Sequence, residues 1–304
     1  MIKVIFMGTP DYAEQILDAL ILDEKIDVVA VYTQPDKEVG RKKILTPSVV
    51  KQKALQHSID LYQPYRLRDD NVVSELLQIE CDFIVVAAYG QILPKKILEY
   101  VPCINLHASI LPQYRGASPI QQTLLNGDKT TGVTAMLMDE GLDTGDIIKI
   151  ETIDVKDDEL VESLFDRLAI VASDLTLDVL KNFSTYKPLQ QDEAKATNCK
   201  KIVKSDGLIE FDDAVQIYNR YRAFHFWPEI FLQSGLKLKQ ICLADADARY
   251  EKSGTILVVE KDHIVVSCLS GALKIYKVQP KSKKIMDVLS YINGKRLKVE
   301  DTLF

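Results

Sequence analysis

Short apolar blocks alternate with amphipathic stretches over roughly the first 185 residues. Residues 3–8 (KVIFMG), 27–33 (DVVAVYT), 82–90 (DFIVVAAYG) and 103–107 (CINLH) are apolar with little alternation, which predicts strands covered on both faces. Residues 12–22 and about 47–57 carry apolar positions at helical spacing. A third helical stretch precedes residue 82, and a long one spans about 158–183. Strands that alternate with helices predict an α/β fold with a Rossmann-like, doubly wound, mostly parallel sheet. Two further blocks, 132–138 (GVTAMLM) and 146–155 (DIIKIETIDV), follow closely on one another and are expected as antiparallel additions.

The pattern lapses at about residue 186. Residues 186–205 are polar with one proline, Pro188, and read as a linker. Beyond them, a helix near 212–224 precedes β-rich runs at 235–243 (GLKLKQICL), 254–268 (GTILVVEKDHIVVSC) and 271–278 (GALKIYKV), separated by glycine and charged turns. The expected organisation is therefore an α/β domain over 1–185, a linker over 186–205 and a small OB-like β-barrel over 206–304. A generic β-sandwich has the same signature.

Charge divides the chain in the same place. Residues 201–304 hold 17 of the 38 Lys and Arg but only 13 of the 44 Asp and Glu, in a chain of net charge −6. From Lys274 to Lys298 eight cations are interrupted by one acid, Asp287, which reads either as a solvated face or as a surface that meets phosphates. Five cysteines, odd in number, widely spaced and without a C-x-x-C pair, support neither a disulfide framework nor a zinc site, and are expected reduced. No run approaches the ~18 apolar residues of a membrane span, and a cytoplasmic protein is expected.

Candidate chemistry centres on residues 104–121, INLHASILPQYRGASPIQ, which contain one of the four histidines. Side chains two apart on a strand share a face, so Asn105 and His107 project together at the carboxyl end of a predicted strand. In open α/β sheets that end faces the ligand crevice. A lone histidine there also reads as a core side chain satisfied by a backbone carbonyl. A second polar side chain on the same face weakens that reading, because each would need its own partner if buried. The following Ser109, Ile110, Leu111 and Pro112 offer a hydroxyl, backbone groups and apolar bulk without charge, suited to one edge of a flat heteroaromatic ligand. Gly116 makes a turn, and Ser118-Pro119 starts a helix. Downstream, the acidic loop MDEGLDTGDII carries carboxylates, one of which would fix the orientation of the His107 ring if it reached it.

Together, NLHASILPQYRGASPIQ and GLDTGDI resemble the signatures of the folate-dependent formyltransferases. FMGTPDYA, TQPDKEVGRKK and RAFHFWP extend the resemblance over most of the chain. The pattern departs from the family at Ile110, where leucine is commoner, and at Phe226, where proline is. The resemblance implies a catalytic trio of Asn105, His107 and Asp143, a folate-contacting segment at Ser109, Ile110, Leu111 and Pro112, and 10-formyltetrahydrofolate as co-substrate. In the branch it follows, the acceptor is initiator methionyl-tRNA, formylated for the initiation of protein synthesis. Arg41, Lys42 and Lys43, in a long loop after the second strand, are then candidate tRNA contacts, and the basic rear domain a second one. No metal is required, since the formyl carbon is already an activated acyl group, and a monomer is expected. A sugar-nucleotide N-formyltransferase would share the trio and the folate segment. A nicotinamide-dependent dehydrogenase would need G-x-G-x-x-G after the first strand, where MGTPDYA offers one glycine.

Overall fold

The unbroken apolar blocks form the middle of a seven-stranded sheet, where both faces are covered and every second residue cannot be polar. In a computed structural model, residues 1–40 and 42–303 are described. They divide into two compact units, Met1–Pro119 with Thr130–Val155 and Leu164–Cys199, and Ile120–Lys129 with Lys156–Ser163 and Lys200–Phe304.

In chain order the first unit contains β1 (Ile2–Gly8), α1 (Asp11–Leu22), β2 (Ile26–Tyr32), β3 (Lys37–Val39), β4 (Ile44–Thr46), α2 (Val49–Gln56), β5 (Leu61–Tyr62), α3 (Asp70–Leu76), β6 (Phe83–Ala87), α4 (Lys95–Leu98), β7 (Cys103–His107) and β8 (Arg115–Gly116). Next come β9 (Thr130–Leu137), β10 (Ile147–Asp154), α6 (Val161–Asn182) and β11 (Asn198–Cys199); α5 (Pro119–Asn126), which precedes β9, belongs to the second unit beyond Pro119, as do the first three residues of α6. The main sheet runs β10-β9-β7-β6-β1-β2-β5. From β7 to β5 every pair is parallel, whereas β9 is antiparallel to both β7 and β10, as expected from their spacing. The chain leaves β1 toward β2 and β5, then returns to β6 and β7 on the other side. This reversal puts the switch point between β1 and β6, next to the carboxyl end of β7.

Local chemistry explains how the elements meet. On α1, Tyr12, Ala13, Ile16, Leu17 and Leu20 are buried, a stripe at three- and four-residue spacing that packs on the sheet. Gly8 permits the close approach of that helix, because a Cβ there would sit 2.5 Å from the Ala13 Cβ and 3.0 Å from the Ala87 carbonyl oxygen. The single glycine of MGTPDYA therefore serves packing rather than a pyrophosphate.

Two segments differ from expectation. The loop after β2 contains the exposed hairpin β3–β4, whose strands of three residues are too short to stand out as a pattern. Residues up to Cys199 of the expected linker belong to the first unit. Leu189 exchanges backbone hydrogen bonds of 2.9 and 2.8 Å with Ile147, and β11 pairs in parallel with β8. Most of these residues are exposed, and it is pairing with neighbouring loops, which a hydropathy pattern cannot register, that holds them to the unit.

The second unit contains α7 (Ala214–Ala223), with the Asp213 carboxylate accepting from the Gln216 amide as N-cap, and then β12 (Lys237–Arg249), β13 (Ile256–Val259), β14 (Ile264–Ser267), β15 (Ser270–Gln279), β16 (Met286–Asp287) and α8 (Val288–Lys295). Its sheet is antiparallel throughout, in the order β12-β15-β14-β13, with β16 also on β15. Ile209, Phe211, Ile217, Leu238, Ile256, Ile264, Leu273, Ile275, Val288 and Ile292 are buried in this unit. Lys281, Lys283, Lys284, Lys295, Arg296 and Lys298 are exposed.

The β9–β10 pairing gives a direct test of the sheet. A Cβ on Gly132 would lie 2.2 Å from the Glu151 carbonyl oxygen. Gly132→Ala is therefore expected to cost about 1–3 kcal/mol, read as a lower urea midpoint by circular dichroism, and an unchanged midpoint would mean the two strands are not in this register.

Candidate active site

Strand β7 ends at the sheet's carboxyl rim with Asn105 beside Val86 of β6 and Met136 of β9, and His107 opposite Thr134. Being two apart, both side chains point to one face, and both arrive where the parallel strands end. His107 is buried, and so is most of Asn105.

Two loops complete the surroundings. The first, residues 108–117, folds back over the end of β7. Tyr114 there is left-handed, with φ +60°, and its carbonyl oxygen lies 2.9 Å from His107 Nε2. A carbonyl can only accept, so Nε2 carries the hydrogen and Nδ1 is the nitrogen left to face the rim. At the next turn Gly116 has φ +121°, and a Cβ would meet the Cys199 carbonyl oxygen at 2.3 Å. Only glycine satisfies both conditions.

The second loop joins β9 to β10 and carries the acidic motif. Asp139 ties its own turn by accepting from the Gly141 amide at 3.0 Å and the Thr144 hydroxyl at 2.7 Å. Asp143 is left-handed, φ +56°, which turns its carboxylate back over β7. Oδ1 accepts from Asn105 Nδ2 at 3.3 Å, Oδ2 accepts from the Gly116 amide at 2.8 Å, and Oδ2 lies 3.6 Å from His107 Nδ1. Asn105, His107 and Asp143, the trio that the resemblance implied, lie together as one group, joined through a single carboxylate that is 11% exposed.

Asp143 is in turn held from behind. Gln191 Nε2 donates to the carbonyl oxygens of Asp143 (2.9 Å) and Gly145 (2.7 Å), and its Oε1 accepts from Arg115 Nε and Nη2 at 3.0 and 2.8 Å. The Arg115 guanidinium also donates to both Glu193 carboxylate oxygens. This ion pair raises Arg115 above the usual guanidinium range and lowers Glu193 below the usual carboxylate range. Tyr114, Arg115 and Gln191 were not anticipated as site residues. The available signal was the charge of Arg115 between a tyrosine and a glycine: a buried guanidinium requires an acid or amide partner.

The segment 109–112 is placed differently from a simple ligand edge. Ser109 is fully buried, its hydroxyl donating to the Gln113 carbonyl at 2.6 Å. Thr134 Oγ1 donates to the Ser109 carbonyl (2.7 Å) and accepts from the Leu111 amide (3.1 Å). Leu111 is also buried, whereas Ile110 and Pro112 keep part of their surface. Of the basic loop, Arg41 lies outside the described residues. Lys42 and Lys43 are exposed at the tip of the β3–β4 hairpin, which projects from the same rim after β2, and Lys43 lies 3.6 Å from Glu38. Among the described residues, no three His, Cys, Asp or Glu side chains group as metal ligands, and no helix is long and apolar enough to cross a membrane.

An amide donor, an imidazole and a carboxylate held as one group beside the switch point of a doubly wound sheet suit transfer of an acyl group, in which an oxyanion forms and a proton moves. The chain belongs to the formyl transferase family: the family model described as formyl transferase matches residues 2–180, and that of the formyl transferase C-terminal domain matches 201–296. It is 62% identical over 301 residues to the methionyl-tRNA formyltransferase of Sulfurimonas denitrificans, covering 99% of each chain. To the methionyl-tRNA formyltransferase of Nitratiruptor it is 53% identical over 304 residues, covering 99% of this chain and 100% of the other. Among solved structures, the N-formyltransferase from Helicobacter canadensis, in complex with folinic acid and dTDP-3-aminofucose, matches with a TM-score of 0.69 at 18% identity, over 91% of this chain and 99% of that one, a likeness of fold.

Thr134 tests the local architecture apart from activity. Thr134→Val removes a hydroxyl that engages two buried backbone groups, and the expected cost is about 1–3 kcal/mol. Amide exchange at Leu111 is expected to accelerate, while exchange in β6 stays as it is.

Proposed function

We propose that the protein transfers the formyl group of 10-formyltetrahydrofolate to the α-amino group of methionine esterified to initiator tRNA, in the cytoplasm and as a monomer. The observation that carries the reading is the joining of Asn105, His107 and Asp143 through one carboxylate. The full-length relatives named methionyl-tRNA formyltransferase support the acceptor. Folinic acid in the Helicobacter canadensis complex is in keeping with a reduced folate as donor.

In the reaction, the neutral amine attacks the formyl carbon, a new C–N bond forms, and the carbonyl oxygen becomes an oxyanion. The bond from carbon to N10 then breaks, the amine loses a proton and N10 gains one. Asn105 gives one amide hydrogen to Asp143 and has a second for the oxyanion. Loss of a donor of this kind costs about 3–4 kcal/mol of barrier. His107 is locked by the Tyr114 carbonyl with Nδ1 toward Asp143, so the proton travels at Nδ1. Asp143 orients that ring and takes the amine's proton, directly or through water.

The folate reads the segment 109–112 through its exposed parts, Ile110 and Pro112, while Ser109 and Leu111 hold the segment in shape. For the tRNA, Lys42 and Lys43 on the hairpin supply cations on long exposed side chains beside the acceptor end, with Arg41 preceding them in sequence. The exposed cations of the second unit supply further phosphate contacts.

The deciding experiment offers 10-formyltetrahydrofolate with three acceptors separately: charged initiator tRNA, glycinamide ribonucleotide and a dTDP-amino sugar. Formylation of the tRNA alone is expected, and formylation of the sugar nucleotide instead would transfer the reading to the sugar N-formyltransferases. Asn105→Ala, His107→Ala and Asp143→Ala are each expected to lower kcat by roughly 100-fold or more with smaller changes in folate affinity. Their losses are not expected to add in double variants. Near-normal kcat in His107→Ala would remove the trio from the mechanism. Replacing Lys42 and Lys43 by alanine is expected to raise KM for tRNA and to reduce the salt slope of binding by about 1 for each phosphate no longer neutralised. Identical slopes would place the hairpin away from the nucleic acid.

A further inference from the structure

Residues 189–199 touch both loops that supply His107 with its partners. Toward the first loop, the Thr197 amide donates to the Pro112 carbonyl at 3.1 Å, its carbonyl accepts from the Arg115 amide at 2.9 Å, and its hydroxyl accepts from the Tyr114 amide at 2.9 Å. β11 then runs beside β8, pairing Asn198 with Arg115 and Cys199 with Gly116. Toward the second loop, Leu189 pairs with Ile147 and Gln191 donates to the carbonyls of Asp143 and Gly145. The Tyr114 carbonyl and the Asp143 carboxylate therefore reach His107 from loops fastened to one strap.

Gln191 is the joint of that strap. It is 5% exposed, and each of its polar atoms has a fixed role. Nε2 faces two carbonyl oxygens, which can only accept, and Oε1 faces the Arg115 guanidinium, which can only donate, so the orientation of the amide is unambiguous. One of its two donated bonds goes to the carbonyl of Asp143, whose left-handed backbone aims the carboxylate, and the other to Gly145 two positions on. Arg115, anchored on Glu193, keeps the amide from turning over.

We propose that Gln191 is a positioning residue for formyl transfer: it sets the place of the Asp143 carboxylate relative to His107 and Asn105, and Arg115 fixes the amide that does so. This rests on the reaction proposed above. Its action is through Asp143 and not on either substrate, so the effect belongs in kcat, since a small misplacement of a reacting group costs more in rate than in binding.

Two variants separate positioning from support of the fold. Gln191→Glu retains an acceptor for Arg115, and with it the strap, but replaces the donor with an oxygen that repels both carbonyls. Gln191→Ala removes the joint. Each is measured for formylation of charged initiator tRNA, alone and combined with Asp143→Ala. The expected result is a roughly 10- to 100-fold fall in kcat, with KM for folate and tRNA within about 2-fold. In the Asp143→Ala background the same substitutions are expected to change kcat by less than about 2-fold. Hydrogen exchange of the Gln191→Glu protein is expected to accelerate in peptides covering 139–146 and to stay unchanged over 113–117. Wild-type kcat in both variants, losses of equal size with and without Asp143, or unaltered exchange over 139–146 would each overturn the positioning role. An inactive wild type would instead sink the proposed reaction, and the exchange measurement would still decide whether Gln191 holds the loop.

Discussion

A carboxylate withdrawn from water needs donors, and the architecture around Asp143 consists largely of the means of bringing them. An ionised group as little exposed as this one is tolerated only where its oxygens are answered by hydrogen bonds. Two amides answer it, Asn105 arriving on β7 and Gly116 on a turn that no other residue could make, while His107, two positions beyond Asn105 on the same face, brings its Nδ1 to 3.6 Å. Remove the parallel sheet and Asn105 and His107 no longer end at one rim. Give Gly116 a side chain and it meets the carbonyl of Cys199, so the second donor is displaced.

The same reasoning explains what could be read before the fold was known. The i, i+2 spacing of Asn105 and His107 is a property of any strand, so their common face followed from CINLH alone. The antiparallel character of β9 and β10 followed from their separation. By contrast, Gln191 acts on Asp143 across 48 positions and on Arg115 across 76. No local pattern encodes such a pairing, because its polarity is identical to that of an exposed loop. The histidine shows how two competing readings can both hold: His107 is satisfied by a backbone carbonyl, as a core histidine would be, and this bond is what presents Nδ1 to Asp143. For residues 109–112 the sequence suggested a uniform edge, whereas Thr134 engages Ser109 and Leu111 from within and leaves Ile110 and Pro112 partly open. Alternation between buried and open residues in an irregular loop has no fixed period to detect.

Chemistry and recognition also make opposite demands on charge. The proposed transfer needs few groups, closely held and shielded from solvent, since hydrogen bonds are stronger where water is excluded and a prearranged site need not reorganise as the oxyanion forms. Holding a polyanion needs many cations on long exposed side chains, because the favourable free energy comes mainly from release of counterions and tolerates variable geometry. Both are present in one chain whose net charge is −6.

That division bears on why the segment after α6 lies where it does. A flexible tether between a rigid catalytic sheet and a second folded unit would leave the loops at the rim free to adopt several arrangements. Instead the chain adds β11 to β8, lays Leu189 along Ile147 and turns Gln191 inward before it reaches Lys200. Each hydrogen bond among these contacts is worth about 0.5–1.5 kcal/mol net. Their common result is that the two loops flanking His107 are ordered before substrate arrives, so the entropy of arranging them is met during folding and not in the reaction barrier.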